Sequence, residues 1–293
     1  MTSIRAEIEN SFRNWHALTK LIIVNLGVFL LYYIFRAIGS LITVPIHQLF
    51  EEWIALPNTL NVLVTRPWTL VTYMFFHQGF IHIFFNLLIL YLAGKLFLEY
   101  LGDRRLLSFF ILGGLIGGVM FVIFYNIFPA FEGVVTNNRG ASAGVMAILI
   151  GIAAYVPRFP VKLFFVLKLD LWIVAALVLL MDLVAIGDQK NMGGHIAHLG
   201  GAFFGYLSVQ QYKRGHDWTE GFSKFMDNLV NWFRAKPKVR KVYSKPRNDR
   251  DYKAQQVQNQ QKMDEILDKI SKSGYDSLSG DEKDYLFKLG QDK

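Results

Sequence analysis

The 293-residue sequence contains no cysteine and carries few charges over its first two thirds. The absence of cysteine excludes a disulfide framework, a thiolate zinc site and a cysteine nucleophile. Residues 21–212 contain 10 Lys/Arg and 8 Asp/Glu, whereas residues 213–293 contain 18 and 13. Hydrophobic residues make up 53% of the chain even without its 24 glycines, against roughly 45–50% in an ordinary soluble domain counted with glycine. The sequence therefore predicts a membrane-embedded part followed by a charged tail.

Six hydrophobic stretches approach the ~20 residues that a helix needs to cross a bilayer. They are residues 18–38, 80–98, 106–129, 141–157, 164–186 and 196–212. The first follows a polar segment without a small-residue cleavage site, which favours a retained helix over a cleaved signal peptide. We therefore expect an all-α polytopic membrane protein, with an N-terminal segment at 1–17 and a six-helix domain at 18–212.

The number of Lys and Arg residues alternates between successive connections. From the N-terminus to the tail the counts are 3, 2, 3, 1, 3, 1 and 18. Because basic residues concentrate on the cytoplasmic side, both termini are predicted to be cytoplasmic, with the protein in the plasma (inner) membrane. In the long first outer loop, an amphipathic segment around Glu51 and Glu52 is expected at the outer interface.

Polar side chains are rare within these stretches, and a polar group in hydrocarbon indicates function. In the predicted topology, His82, Asn86, Ser142 and His198 all lie near the outer ends of spans two, four and six. Taken singly, a membrane serine is more often a packing residue and a membrane histidine more often structural. The His82 and Asn86 pair could likewise be a clamp between helices.

The residues around Ser142 and His198 favour a functional interpretation over a structural one. Ser142 lies within G-x-S-x-G, whose small residues leave the hydroxyl accessible at a helix start. His198 is followed by Gly201 and Gly205, so one face of its helix is bare backbone that can pack against span four, beside Gly144. A serine nucleophile also needs a base and donors for its oxyanion. The four residues together indicate a serine hydrolase.

Four motifs in this order make the chain resemble the rhomboid family of intramembrane serine proteases, over about residues 15–212. They are His82-x-x-x-Asn86, Leu98-Glu99-x-x-Gly102, Gly140-x-Ser142-x-Gly144 and Ala197-His198-x-x-Gly201-x-x-x-Gly205. The chain departs from the family pattern at Ala143, where a glycine is usual, and at Met146, where an aromatic ring is common. The usual Trp-Arg pair of the first loop is also absent: Thr69 follows Trp68, and Arg66 precedes it by two positions.

The resemblance implies a Ser142 nucleophile, a His198 general base and an oxyanion hole formed with His82 and Asn86. It implies cleavage of transmembrane segments of other proteins near the outer face, with neither metal nor cofactor. No third catalytic residue is expected, since the family works with a dyad and Asp182 precedes His198 by 16 positions. His195, one helical turn before His198, is expected to be an interfacial histidine; the alternative is that it orients His198.

The tail divides into an amphipathic and basic linker at 213–262 and a small helical module at 263–293. Apolar residues at helical spacing over 217–233 predict an amphipathic helix on the lipid surface. The basic residues between Arg234 and Arg250 are expected to bind anionic lipid, which explains the net charge of +8 more simply than nucleic acid does; a solvated linker is the alternative. The Gln-rich stretch 251–262 is expected to be disordered.

The last 30 residues have the pattern of a helical hairpin. Gly274 is expected to end its first helix, and Ser279 and Glu282 form a capping box for the second. Because so short a pair buries little apolar surface, we expect it to dock on a cytoplasmic protein partner. Two other functions remain open, a transporter or channel and a non-catalytic membrane chaperone of rhomboid shape.

Overall fold

A computed structural model of the chain describes residues 16–163, 167–189, 191–233 and 249–291, and they are predominantly helical. The chain divides into two compact units near residue 234; the domain boundaries expected at 212 and 262 stay predictions. The helices of the first unit are α1 (Ala17–Leu41), α2 (Ile46–Ile54), α3 (Leu60–Thr65), α4 (Thr69–Thr72), α5 (Phe80–Leu101), α6 (Asp103–Ile127), α7 (Ser142–Tyr155), α8 (Leu171–Gly187), α9 (Met192–Lys213) and α10 (Glu220–Phe233). Its strands pair as two antiparallel ribbons, β1 (Leu56–Pro57) with β2 (Asn137–Asn138) and β3 (Pro160–Leu163) with β4 (Leu167–Asp170).

Three helices of the described chain, α1, α5 and α6, are long and apolar enough to cross a membrane. The helices α7 and α8 are apolar but shorter, with 14 and 17 residues, and α9 has 22 residues and is rich in glycine. A helical polytopic fold is therefore confirmed. The count of six spans stays a prediction.

Hydrogen bonds between helix ends show which ends lie together. The Asp103 carboxylate, at the start of α6, accepts a hydrogen bond of 2.6 Å from the Ala17 backbone N–H at the start of α1. The Lys213 ammonium, at the end of α9, donates to the Ala154 carbonyl near the end of α7 at 2.7 Å. These pairings agree with the alternating directions that the basic residues predict for the spans.

The fifth hydrophobic stretch differs from its prediction. A helix was expected from residue 164, but residues 160–163 and 167–170 form the β3–β4 hairpin, and α8 begins only at Leu171. Apolar residues alternate with Lys162 and Lys168, which face each other across the ribbon. This period of two is that of a strand. The Leu171 N–H then bonds to the Phe159 carbonyl at 2.9 Å, which places the start of α8 beside the end of α7.

The centre of the first unit is the contact between α6, α7 and α9, where small residues let the backbones approach closely. A Cβ on Gly201 would lie 1.9 Å from the Ala143 carbonyl oxygen, and one on Gly205 would lie 2.2 Å from that of Ala147. The bare face predicted on the sixth span and its packing against the fourth are thus confirmed. Gly144, expected beside this face, instead contacts α6.

The predicted amphipathic helix of the tail is α10, and it packs against the start of α6. The Ser108 and Ser223 hydroxyls are 2.9 Å apart, and the Arg105 guanidinium donates to the Asp217 carboxylate at 2.8 Å. Burial works to raise the pKa of Asp217, but hydrogen bonds from Thr219 and Arg105 outweigh it and hold that pKa below its usual value. The first part of the tail therefore belongs to the helical bundle.

The second unit is the pair α11 (Asp249–Ser273) and α12 (Gly280–Gln291). Gly274, with a φ of +76°, ends α11 as predicted. The capping box is confirmed, since the Ser279 N–H donates to the Glu282 carboxylate at 2.7 Å and the Glu282 N–H to the Ser279 hydroxyl at 3.4 Å. Lys269 joins the two helices by a 3.0 Å ion pair with Glu282.

The expectation of disorder at 251–262 is wrong, because this stretch lies inside α11. Gln and Lys have high intrinsic helix propensity, and the helix they belong to continues into the apolar residues of the pair. Most of the basic run, residues 234–248, lies outside the described residues.

Replacing Gly201 with Ala is expected to destabilise the bundle. The added methyl group meets a backbone carbonyl that cannot move without shifting α7, and overpacking of this kind costs about 1–3 kcal/mol. Thermal unfolding in detergent measures the effect. Gly27→Ala is the matched control, because a Cβ on Gly27 meets no heavy atom within 4 Å and alanine favours the helix. Equal unfolding temperatures for both variants would contradict the close packing of α7 on α9.

Candidate active site

Ser142 is the first residue of α7 and is half-buried. With 14 residues, α7 is roughly 21 Å long, whereas the hydrocarbon core is about 30 Å thick. If the end of α7 reaches one membrane surface, its start is recessed below the other. Ser142 then lies below that surface, at the end of the bundle where α5 and α9 begin.

The loop before Ser142 is fixed by two backbone hydrogen bonds to the segment that precedes α5. The Gly140 N–H donates to the Tyr73 carbonyl at 2.9 Å, and the Ala141 N–H donates to Nε2 of His77 at 3.2 Å. His77 is completely buried, and its burial lowers its pKa to about 3. The imidazole therefore stays neutral and remains a hydrogen-bond acceptor. Sequence reasoning did not assign this role to His77.

His82 is brought next to the serine by Gly140. This glycine has a φ of +117°, a conformation that other residues rarely adopt. A Cβ on it would lie 2.7 Å from Cε1 of His82, 3.0 Å from Nε2 of His82 and 3.7 Å from Oγ of Ser142. The missing side chain thus leaves the space in which the His82 ring and the Ser142 hydroxyl approach each other.

Asn86 lies one helical turn after His82 and is buried. Its side-chain amide donates a 2.9 Å hydrogen bond to the His82 backbone carbonyl. One of its two N–H donors is therefore engaged within α5.

His198 and Ser142 lie on helices that meet at Gly117 of α6. A Cβ on Gly117 would lie 2.5 Å from the Ala197 carbonyl oxygen and 2.6 Å from Cβ of Ala143. The residue before the histidine and the residue after the serine therefore converge at one point. Within the described residues no hydrogen bond joins the two catalytic candidates, and in unliganded sites such bonds often form only with substrate.

The carboxylate of Asp182 contacts two histidines of α9. Its Oδ1 lies 2.8 Å from Nδ1 of His198 and 2.6 Å from Nδ1 of His195. Asp182 therefore contacts His198 although 16 positions separate the two residues in the chain, and His195 contacts the same carboxylate. The sequence could have indicated this contact, because the connection is short: α8 ends at Gly187 and α9 begins at Met192. In a tight antiparallel pair, residues equally far from the connection lie at one level.

These three residues could also be considered as metal ligands. Ligands of a tetrahedral zinc ion, with bonds of about 2.0 Å, lie roughly 3.3 Å apart. Both Nδ1 atoms are closer than that to a single carboxylate oxygen. The arrangement has the dimensions of hydrogen bonds.

The first loop is attached to the site by charged residues. Arg139, three residues before Ser142, forms a 2.6 Å ion pair with Glu51 of α2, and Gln78 hydrogen-bonds to both side chains. The amphipathic segment predicted around Glu51 is thus the helix α2, and it is held to the loop that carries the serine.

Arg66 and Trp68 contact the C-terminal turn of α2. The Arg66 guanidinium donates to the Glu52 carbonyl at 2.6 Å and lies over the Trp53 ring at 4.9 Å. Trp68 stacks on Trp53 and donates its indole N–H to the Trp53 carbonyl at 2.9 Å. Although the adjacent Trp-Arg pair is absent, both residue types therefore support the first loop.

Comparisons with known proteins agree with this arrangement. Residues 64–212 match the family model of the rhomboid domain, and residues 248–291 match a family of unknown function (DUF6576). Over 179 residues the chain is 26% identical to a Danio rerio protein named presenilin-associated rhomboid-like protein A, mitochondrial. The match covers 59% of this chain and 45% of that protein, so the chain corresponds to less than half of its relative.

His77 is expected to make stability depend on pH. Its native pKa of about 3 lies below the ordinary 6.5, so the unfolded chain binds a proton that the folded protein excludes. Its contribution is full well above pH 6.5 and is lost as the pH falls toward 3, by about 1 kcal/mol at pH 5.5. The unfolding temperature of the parent should therefore fall more between pH 7.5 and 5.5 than that of His77→Gln. His216→Gln, at an exposed position, is the control; a parental pH dependence in His77→Gln would refute the assignment.

Proposed function

The chain belongs to the rhomboid family, and from that premise we propose that it is an intramembrane serine endopeptidase that cleaves transmembrane segments of other membrane proteins. The observations that support the proposal are the contact of α7 with α9 next to Ser142 and His198, and the position of the His82 ring beside Gly140, two residues before Ser142. In this proposal, three helices supply the nucleophile, the base and an oxyanion donor.

In the proposed reaction, Ser142 Oγ attacks the scissile carbonyl carbon and its proton passes to Nε2 of His198. Nε2 is the basic nitrogen because Nδ1 faces Asp182. His82 donates a hydrogen bond to the tetrahedral oxyanion. When the C–N bond breaks, His198 gives the proton to the leaving amine and an ester to Ser142 remains. Water, deprotonated by His198, then hydrolyses this ester and restores the serine.

The position of the serine defines the substrate. A helical transmembrane segment has its peptide groups hydrogen-bonded internally, so it must be locally extended before Ser142 can attack it. Helix-breaking residues lower the cost of that extension. We propose that water and the extended segment meet at the start of α7, at the outer face.

We also propose the topology and the role of the tail. With both termini cytoplasmic, the catalytic residues face the outside of a plasma (inner) membrane; the Danio rerio relative carries the word mitochondrial in its name. The basic residues between Arg234 and Arg250 would bind anionic lipid. The exposed faces of α11 and α12 would serve a cytoplasmic protein partner.

A transporter would need polar groups along a path through the bundle. The histidines and Asp182 instead gather where α8 meets α9 and where α5 begins, at one end. A chaperone of rhomboid shape would need neither Ser142 nor His198. The protease therefore accounts for more of the structure than either alternative.

Ser142 and His198 are expected to act as one unit. Ser142→Ala, His198→Ala and the double variant should be about equally inactive on a purified transmembrane substrate, because effects within one catalytic unit do not add. Labelling of the parent by a fluorophosphonate probe in detergent should be lost in Ser142→Ala. Ser208→Ala, at a buried serine deeper in α9, is the control and should label like the parent. Cleavage by Ser142→Ala at the parental rate would refute the proposal.

His82→Ala is expected to lower kcat by about 10²–10³, as the loss of one oxyanion donor typically does, and Asn86→Ala should also leave weak but measurable cleavage. Asn25→Ala is a matched control. Like Asn86, Asn25 is buried and donates to the carbonyl four residues before it, at 2.8 Å, but it lies in α1. Parental activity in the His82 and Asn86 variants would show that the pair is structural only.

A further inference from the structure

We propose that Asp182 is a positioning residue for His198, so that the site works as a serine, histidine and aspartate rather than as a dyad. The inference rests on the proposed function and adds a third residue to it. The carboxylate oxygen Oδ1 lies 2.8 Å from Nδ1 of His198, which is the nitrogen that does not face the serine in the reaction described above.

The location of Asp182 is costly for a purely structural residue. It belongs to an apolar helix, where Met181 and Leu183 on either side of it are exposed, while its own side chain is turned inward and is 4% exposed. A carboxylate at membrane depth is expensive and must be paired. Its Oδ2 is buried without a hydrogen-bond partner in the described part of the chain. Two polar but uncharged residues could join α8 to α9 without that penalty.

The hydrogen bonds determine where the imidazole protons are. An ionised carboxylate only accepts hydrogen bonds, so the nitrogens that contact Oδ1 must both be protonated. A neutral imidazole has one N–H, and Nε2 of His198 is therefore left with a free lone pair. Asp182 thus selects the tautomer that can take the serine proton, and it stabilises the imidazolium that forms.

His195 offers a way to separate this role from a clamp between helices. It donates to the same oxygen of Asp182 at 2.6 Å, and its ring is edge-on to that of His198 with centroids 5.3 Å apart. If the carboxylate only joins α8 to α9, its hydrogen bonds to His195 and His198 have the same function, and the loss of either should have the same effect. If it positions the base, only the bond to His198 affects the chemistry.

The kinetic test is Asp182→Asn, which retains the size of the side chain. We expect kcat on a purified transmembrane substrate to fall by about 10²–10⁴, as in other serine hydrolases that lose this carboxylate, with KM within about threefold of the parent. His195→Gln should keep kcat within about threefold. Asp188→Asn, an exposed carboxylate near the end of the same helix, is the matched control. A parental kcat in Asp182→Asn, or an equal loss in His195→Gln, would overturn the proposal.

A second measurement does not depend on proteolysis or on the folding of the Asp182 variant. In ¹⁵N-histidine-labelled protein, His198 should be the Nδ1–H tautomer in both the parent and Ser142→Ala, with its resonance assigned through His198→Gln. An Nε2–H tautomer would overturn the positioning role. If the parent neither cleaves the substrate nor reacts with the fluorophosphonate, the proposed function fails, while the tautomer still decides whether Asp182 orients His198.

Discussion

The catalytic arrangement depends on the direct contact of two helix backbones. Because Gly201 and Gly205 have no side chains, α9 lies against the carbonyl groups of α7 at Ala143 and Ala147. Apolar side chains gain little by leaving lipid for protein, so close van der Waals packing is what holds membrane helices together. The contact begins one residue after Ser142 and one turn after His198. The same glycines that stabilise the bundle therefore fix how far Ser142 lies from His198.

The segment before α5 completes what the helix contact begins. A helix of 14 residues is too short to reach from one membrane surface to the other. The chain that enters it must therefore be anchored inside the protein. Tyr73 and His77 provide that anchor by accepting hydrogen bonds from the backbone N–H groups of Gly140 and Ala141. Arg139 extends it to α2 through Glu51. The loop that carries Ser142 is thus bonded to α2 and to the segment before α5. A movement of α2 would therefore shift the Ser142 hydroxyl.

The sequence allowed the helices and the four motif residues to be predicted because hydrophobic runs and small-residue patterns are local signals. The bare face of α9 and the capping box of α12 followed from spacing alone. The β3–β4 hairpin was not predicted because its high apolar content obscured the alternation around Lys162 and Lys168. The helix at 251–262 was not predicted because its composition is polar. Asp182 could be noticed as a charge in an apolar run, but its contact with His198 depends on how α8 and α9 pair.

The location of the polar cluster follows from two opposing requirements. Hydrolysis needs water and ionisable groups, and both are least costly near a membrane surface, whereas the scissile bond lies in a segment that crosses the hydrocarbon. A helix as short as α7 can meet both, because its start lies below one surface when its end reaches the other. The charge that must be buried there is the Asp182 carboxylate, and hydrogen bonds from His195 and His198 offset the loss of its hydration.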